Sequence, residues 1–388
     1  MPQPLNKKKI FIVAGEASGD LHAAELIKEI KKQAPDTEIV GIGGDKMIEA
    51  GANILIHQSK IAVMGVVEIA ACIRHILNAL NISKTYLQKE HPDLVILIDY
   101  PGFNLMLAKH AHKLGIPVFY YICPQVWAWR KGRVRKIKRY VTKAAVILPF
   151  EEKFLKTHGV DASFVGHPLL DVVRMENNAK KILNNKNIDT NKKIVTLLPG
   201  SRHGEVKKIF PVLVQSIKLI KKELPHIEAV VGVAPSIDEK FLIDLIKEKD
   251  KRLIDNMKFY SGNIYNLIGH SSLVLAASGT VTLETAILET PLIVVYILNQ
   301  LSYFLAKLLV DVPYVSLVNL VANKKIVPEL LQKEANSLNI AKHAIKLLKD
   351  DNETYRIKQS LKEVKKLLGS KGAANRAAHL ALSLVKSS

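Results

Sequence analysis

Ser278, Gly279 and Thr280 follow an apolar run, Leu273 to Ala277, and precede a helical pattern that carries Glu284. Such a segment reads as a buried strand, a tight turn, and a helix whose first amides point back at the turn. Unpaired N–H groups at a helix start, with the helix dipole behind them, form an anion site. A carboxylate one turn further on can accept two hydrogen bonds from a vicinal diol such as a ribose. Phosphate-binding amides beside a diol acceptor suggest a nucleotide. The same segment is also compatible with an ordinary βα turn and a solvated glutamate.

Three other loops end apolar runs, where ligands of open α/β sheets bind. Gly200, Ser201 and Arg202 follow Ile194 to Leu198. A guanidinium beside helix-start amides suits a diphosphate; a surface Arg paired with Glu205 is the alternative. Asp99 ends Leu94 to Ile98 and precedes Tyr100-Pro101-Gly102-Phe103. Pro101 predicts an extended Tyr100. The aspartate then faces the crevice as a general base, or closes an Asx turn or caps the helix near Asn104. Glu16 and Asp20, in the loop after Ile10 to Ala14, are further candidates. From its place just before the strand, Asp93 reads as structural.

Several chemistries find no pattern. No GxGxxG fingerprint or GxxxxGK[ST] loop occurs. Without DxD, HExxH or clustered Cys and His, no metal site is expected.

Arg130 to Arg139 carries seven basic residues in ten and follows Trp127 and Trp129, the only tryptophans. Basic plus aromatic suits single-stranded nucleic acid, an anionic membrane surface or a phosphorylated lipid, or a solvated helix face. Ile61 to Leu80 is strongly apolar, with only Glu68 and Arg74 charged. It is too interrupted for a span, leaving a surface-lying amphipathic helix or a core helix.

The elements that must position these residues alternate. Short apolar runs begin near positions 10, 39, 94, 118 and 144, with helical patterns between most of them. After an Asn- and Lys-rich stretch, 177–193, read as a linker, the plan restarts near 194, 229, 258, 273 and 292. The expected class is α/β: two parallel-sheet halves, 1–175 and 176–350, then basic helices at 351–388. A chain of 388 residues favours two domains. The net charge of +20 and pI of about 9.6 favour anionic partners. Two cysteines make no disulfide framework and point to a reducing compartment. The apolar run after Lys7-Lys8-Lys9 is too short for a signal peptide.

Nine ordered stretches together resemble one family: VAGEASGD (13–20), AVMGVVEI (62–69), DYPGFN (99–104), CPQVWAWR (123–130), LPFE (148–151), GHPLLD (166–171), LLPGSRHGEV (197–206), ASGTVTLE (277–284) and YVSLVNLV (314–321). The chain resembles the lipid-A-disaccharide synthase family of GT-B glycosyltransferases. The resemblance implies two Rossmann-like domains facing across a cleft, with the C-terminal helices packing back. It implies transfer from UDP-2,3-diacylglucosamine to the 6-hydroxyl of 2,3-diacylglucosamine 1-phosphate, with inversion, to give the β-1,6 disaccharide phosphate and UDP. It further implies no cofactor or metal, no nucleic acid, and a cytoplasmic enzyme peripheral to the inner membrane, and it leaves room for a homodimer.

Carried over by position, Asp99 matches the proposed base, and Glu16 and Asp93 match acidic positions linked to activity. Arg202, Glu284 and Asn319 match the nucleotide side, with Gly200 and Ser201 beside Arg202 and with Ser278, Gly279 and Thr280 as the turn. An amphiphilic substrate makes Val63, Met64, Val66, Val67, Ile69, Ile73 and Ile76 the expected acyl-chain or bilayer surface, and Arg130, Arg133 and Arg135 the headgroup contacts. The chain departs from the family at Ala17, where Thr is frequent, and at Ala322 to Lys325. The remaining readings are another UDP-sugar GT-B enzyme, epimerase-like or muramyl-type, and an RNA-binding protein.

Overall fold

The computed structural model describes residues 7–60, 69–128, 132–247, 257–299, 303 and 312–385, with backbone alone at 69–72. Two compact units result: Met1–Pro168 with Gly369–Ser388, and Leu169–Leu368.

The first unit is built on seven parallel strands: β1 (Lys9–Ala14), β2 (Glu38–Gly43), β3 (Asn53–His57), β4 (Leu94–Ile98), β5 (Val118–Tyr121), β6 (Lys143–Val146) and β7 (Ala162–Phe164). Their order is β3-β2-β1-β4-β5-β6-β7. Successive side chains on a strand face opposite ways. Thus Phe11, Val13, Val95, Leu97 and Tyr120 enter one core, and Ile10, Ile12, Leu94, Ile96 and Tyr121 the other. The helices are α1 (Ala17–Gln33), α2 (Asp45–Glu49), α3 (Ile69–Glu90), α4 (Pro101–Lys113), α5 (Arg133–Tyr140) and α6 (Pro149–Thr157). Leu87, Leu107, Ile137 and Leu155, from α3 to α6, cover the first face, whereas Leu26, Ile27 and Ile30 of α1 cover the second.

The second unit repeats the plan. It begins with α7 (Leu169–Val172) and α8 (Ala179–Asn185). Strands β8 (Ile194–Leu198), β9 (Glu228–Gly232), β10 (Met257–Tyr260), β11 (Leu273–Ala277), β12 (Leu292–Tyr296) and β13 (Glu329–Leu331) form a parallel sheet ordered β10-β9-β8-β11-β12-β13. Between and after them run α9 (His203–Glu223), α10 (Glu239–Lys247), α11 (Ile264–His270), α12 (Val281–Ile287), α13 (Leu317–Ala322), α14 (Ser337–Lys349) and α15 (Asp351–Leu367). The last helix, α16 (Ala373–Leu382), lies in the first unit.

Three strands escape the apolar-run reading: β3, β7 and β13. All are sheet edges, and none is buried throughout. The Asn- and Lys-rich stretch is not a free linker, because Leu183 and Ile188 enter the second unit's core. Within 351–388, α15 packs on α12 and α13 of its own unit, and only α16 packs on α1.

Among the described residues, no helix is long and apolar enough to cross a membrane. The apolar segment near the N-terminus divides by face. On α3, Ile73 and Leu77 are each 51% exposed, while Ile76 packs against the core beside buried Ala79 and Leu80. Val63, Met64, Val66 and Val67 lie outside the described residues, as does the side chain of Ile69.

Helix α16 docks through small residues; Ala377, Ala378 and Ala381 are fully buried in the α1-side core. There is no room for added methylenes. Ala378→Leu should destabilise the protein by about 1–3 kcal/mol through overpacking, read as a lowered midpoint in urea. An unchanged midpoint would mean that α16 does not pack this way.

Candidate active site

In the first unit, chemistry gathers where β4 ends. Asp99 and Tyr100 both adopt left-handed backbone, with φ of 45° and 43°. The extended Tyr100 predicted from Pro101 is therefore not observed. Two consecutive non-glycine residues in this region cost on the order of 1–3 kcal/mol each. Their surroundings impose the turn. The Asp99 carbonyl accepts the Tyr120 hydroxyl at 2.5 Å and Asn104 Nδ2 at 2.7 Å. Asn104, fully buried, also donates to the Ile98 carbonyl at 3.1 Å. Pro101 then opens α4, where its missing N–H costs nothing. Gly15 completes the fit: the Tyr100 ring occupies the space a Cβ would need. That close approach brings the loop carrying Glu16 against the loop carrying Asp99.

The half-buried Asp99 carboxyl is pushed above its ordinary value by burial and then by the charge of Glu16, against a hydrogen bond from the Tyr100 amide. Glu16 is the exposed N-cap of α1, but its side chain makes no capping bond. Proton affinity in Asp99 and a free carboxylate nearby are what a general base and its electrostatic neighbour require.

The other acids of this unit are placed differently. Asp20 accepts from the amides of Gly44 (2.7 Å), Lys46 (3.1 Å) and Met47 (3.2 Å), so its carboxylate pins the start of α2. Asp93 accepts the Lys9 amide at 2.7 Å at the amino end of β1 and β4. Asp99 sits beyond the carboxyl end of β4, so the structure does not bring Asp93 to it. Asp93 ties two strands together.

One acid passed unnoticed in the sequence. Glu151 is 3% exposed and accepts from Trp127 Nε1 (2.9 Å) and from the amides of Ile147 (3.3 Å) and Leu148 (3.0 Å). Burial outweighs these donors and pushes its pKa to about 7. It caps the start of α6 and anchors the loop containing Cys123 and Trp127.

In the second unit, the loops after β8, β9, β10 and β11 enclose a cavity of about 620 Å³. Gly200 and Ser201 form one wall and Ser278, Gly279 and Thr280 another, with Glu284 and Tyr265 beside them. Gly200 has φ of 113°, and a Cβ there would run into the Glu205 carboxylate. Among the described residues other than its chain neighbours, nothing lies within 4 Å of the position a Gly279 Cβ would take, and Gly279 lines the cavity. Among the described residues, no hydrogen bond occupies the Gly279 or Thr280 amide. Burial raises Glu284 above its usual range and, with the Glu284 charge, pushes the Tyr265 phenol to about 12. Arg202, exposed at the N-cap of α9, offsets part of the burial that raises Glu205. The cavity thus offers free amides and a carboxylate next to a neutral hydroxyl, and Arg202 directly follows its wall residue Ser201 in the chain. Among the described residues, no group of three or more His, Cys, Asp or Glu side chains could hold a metal ion.

Asn319 is not free to bind a ligand. It is fully buried. Its Nδ2 donates to the Val327 carbonyl (3.0 Å) and Glu329 (2.8 Å), and its Oδ1 accepts the amides of Ile326 (2.8 Å) and Val327 (3.1 Å). Glu329 also accepts from Ser316 Oγ (2.6 Å) and the amides of Val315 and Ser316 (both 3.0 Å). Ser278 Oγ donates to the Val315 carbonyl at 3.3 Å, so this bracket steadies the cavity wall from behind.

The basic run forms α5, whose Val134 and Ile137 face the core. Arg135 is exposed and Arg133 half-buried, while Arg130 and Trp129 lie outside the described residues. Sequence reasoning missed Tyr265 and the loops at Val233–Ile237 and Ser261–Gly262. The strand-end rule pointed to them, since they come after β9 and β10. Tyr120 and Asn104 offered no signal, because their partners are backbone atoms.

Both the buried acid and the open turn can be tested. Between pH 4.5 and 7 the folded protein binds a proton at Glu151 that the unfolded chain releases, so this group's contribution to stability falls as pH rises through that window. Glu151→Gln should flatten that part of the melting-temperature profile; an unaltered slope would remove Glu151 as its source. Gly279→Ala should leave the melting temperature nearly unchanged yet weaken UDP binding by roughly tenfold or more in calorimetry, a loss of about 1.4 kcal/mol or more. Equal affinity would mean that the ligand does not approach that turn.

Residues 10–384 match the family model described as LpxB, lipid-A-disaccharide synthetase. A lipid-A-disaccharide synthase of Syntrophus aciditrophicus is 43% identical over 384 residues, covering 99% of this chain and 100% of the relative. The fold is similar to the glycotransferase of kitacinnamycin, with a TM-score of 0.66, 13% identity and coverage of 98% and 100%. It is also similar to a UDP-GlcNAc 2-epimerase from Neisseria meningitidis bound to UDP-GlcNAc, with a TM-score of 0.61, 13% identity and coverage of 97% and 98%. The two parallel-sheet, Rossmann-like units are therefore of the GT-B type. With a family match over nearly its whole length, the chain belongs to the lipid-A-disaccharide synthetase family.

Proposed function

We propose that the chain transfers a diacylglucosamine unit from UDP-2,3-diacylglucosamine to the 6-hydroxyl of 2,3-diacylglucosamine 1-phosphate, releasing UDP. The observation that carries this reading is the cavity at the strand ends of the second unit, where unoccupied amides at Gly279 and Thr280 lie beside Glu284. A diphosphate takes the amides and Arg202, while a ribose diol takes Glu284. Tyr265 stays neutral at working pH and can donate a hydrogen bond.

The first unit takes the acceptor. A sugar hydroxyl is a weak acid, so its proton must leave as the new bond forms. Asp99 is the base: its raised proton affinity suits that task, and its carbonyl is clamped by Tyr120 and Asn104. Glu16 tunes Asp99 through its charge. Attack at the anomeric carbon with inversion builds negative charge on the departing UDP, which Arg202 and the turn amides stabilise. The protein works on amphiphiles at the cytoplasmic face of the inner membrane. Exposed Ile73 and Leu77 suit acyl chains or bilayer; Ile76, packed inward, supports the fold.

UDP release, measured in detergent with and without acceptor, tests the scheme. Wild type should release UDP only with acceptor, and Asp99→Asn should lose that activity. Arg202→Ala should fall by about a hundredfold, the usual loss for one preorganised charge stabiliser; near-normal turnover would exclude the role. Asp99 must be ionised to accept a proton, so activity should fall on acidification, with an acid limb that lies above the ordinary carboxylate range. Removing the neighbouring charge in Glu16→Gln should shift that acid limb to lower pH, and an unmoved limb would separate Glu16 from Asp99. UDP binding without transfer to the diacyl acceptor would favour a different UDP-sugar chemistry, such as epimerisation.

A further inference from the structure

A second cavity of about 410 Å³ lies between α4 and α5 in the first unit, and the proposed reaction as drawn assigns it nothing. Its floor begins at Pro101 and Gly102, two residues beyond Asp99. Among the described residues, leaving aside its chain neighbours and its own helix backbone, no atom lies within 4 Å of where a Gly102 Cβ would stand. Further along, three cations converge from two helices: Lys109 from α4, and Arg133 and Lys136 from α5. Their spacing produces this. Pro101 and Lys109 lie two turns apart on one face of α4, and Arg133 and Lys136 lie one turn apart on α5. Among the described residues, no acidic side chain lines the groove. Lys109 and Lys136 are exposed and form no ion pair among the described residues.

Two ammonium groups without a counter-charge of their own repel each other across the groove, and a dianion relieves that repulsion. The Arg133 guanidinium offers a planar fork and the ammonium groups offer point charges, a combination that fits phosphate oxygens. The wall is not wholly polar, because Met106, 44% exposed, lines it too. An anion joined to an apolar body therefore fits better than a free ion.

We propose that this groove is the subsite for a phosphate monoester on the acceptor sugar. Lys109, Arg133 and Lys136 hold the phosphate and so present the far side of the sugar, with its hydroxyl, to Asp99. This rests on the proposed acceptor role of the first unit and adds to it the groups that select a phosphorylated acceptor. Arg135, exposed on the same helix, is not among the groove's residues.

The test compares wild type with Lys109→Ala/Lys136→Ala on diacylglucosamine acceptors with and without the 1-phosphate. Wild type should prefer the phosphorylated acceptor in kcat/KM, and the variant should lose about tenfold or more of that preference, the usual weight of a charge-assisted contact. The Lys109→Arg/Lys136→Arg variant should recover most of it. Equal losses on both acceptors, or none, would overturn the subsite. Calorimetry with glucosamine 1-phosphate and with inorganic phosphate supplies a readout independent of turnover. The proposal expects the sugar phosphate to bind more tightly to wild type than to the Lys→Ala variant. If wild type transfers to neither acceptor yet shows this difference, the reaction assignment fails and the phosphate site stands. Vesicles with and without phosphatidylglycerol separate the lipid surface from the substrate: a variant that loses only association with the anionic vesicles would make the groove a bilayer contact and refute the proposal.

Discussion

A parallel strand cannot return to its neighbour by a hairpin. Each must lead into a crossover, and in both sheets every pairing is parallel. This constraint puts the carboxyl end of each strand, and the start of the next loop or helix, on one edge. Buried strands spend their side chains on two apolar faces. Polar chemistry is left to the loops on that edge, where backbone amides are already exposed. The Asp99 turn and the cavity between Gly200 and Glu284 are two uses of the same edge.

What distinguishes the two sites is how the loop is held. At Asp99 the backbone is strained; two side chains from elsewhere in the unit sustain it, Tyr120 from β5 and Asn104 from α4, and the Tyr100 ring packs against Gly15. The first two act on the Asp99 carbonyl rather than on its carboxylate, which accepts the Tyr100 amide. At the cavity of the second unit the Ser278 to Thr280 turn has no left-handed residue, and support comes from behind. Asn319 and Glu329 knit the segment after Val315, and Ser278 is tied to that segment. A residue can thus matter to a site without reaching it, since a buried amide with four partners acts through the loop it braces.

Buried carboxylates serve the same unit in opposite ways. Asp20 meets three amides and fastens α2. Glu151 also meets three donors, yet burial wins and leaves it near neutrality, so the loop it anchors is coupled to pH. Asp99 has fewer donors and a negative neighbour, and its proton affinity rises. Number of donors, depth and nearby charge separate an acid that fastens a helix from two whose proton affinity rises.

Much of this was legible in the chain itself. Apolar runs bounded by glycine turns marked the central strands, because strands buried on both faces are continuously apolar. The strand-end rule then located Asp99, Gly200 and Ser278 to Thr280, and ordered motifs pointed to the family. Sequence alone did not reveal β3, β7 and β13, because an edge strand is buried on fewer sides and loses the pattern. The family resemblance grouped Asp93 with Asp99, two acids flanking one strand, whereas position before the strand already marked Asp93 as structural, and the two stand at opposite ends of β4. Nor did sequence alone show that Asn319 is enclosed, that Tyr100 is left-handed, or that Lys109 meets Arg133 and Lys136. Each of these depends on neighbours distant in sequence, and only tertiary packing brings those together. Residue type and local spacing settle what a segment can become; burial and partners decide which of its groups remain free for chemistry.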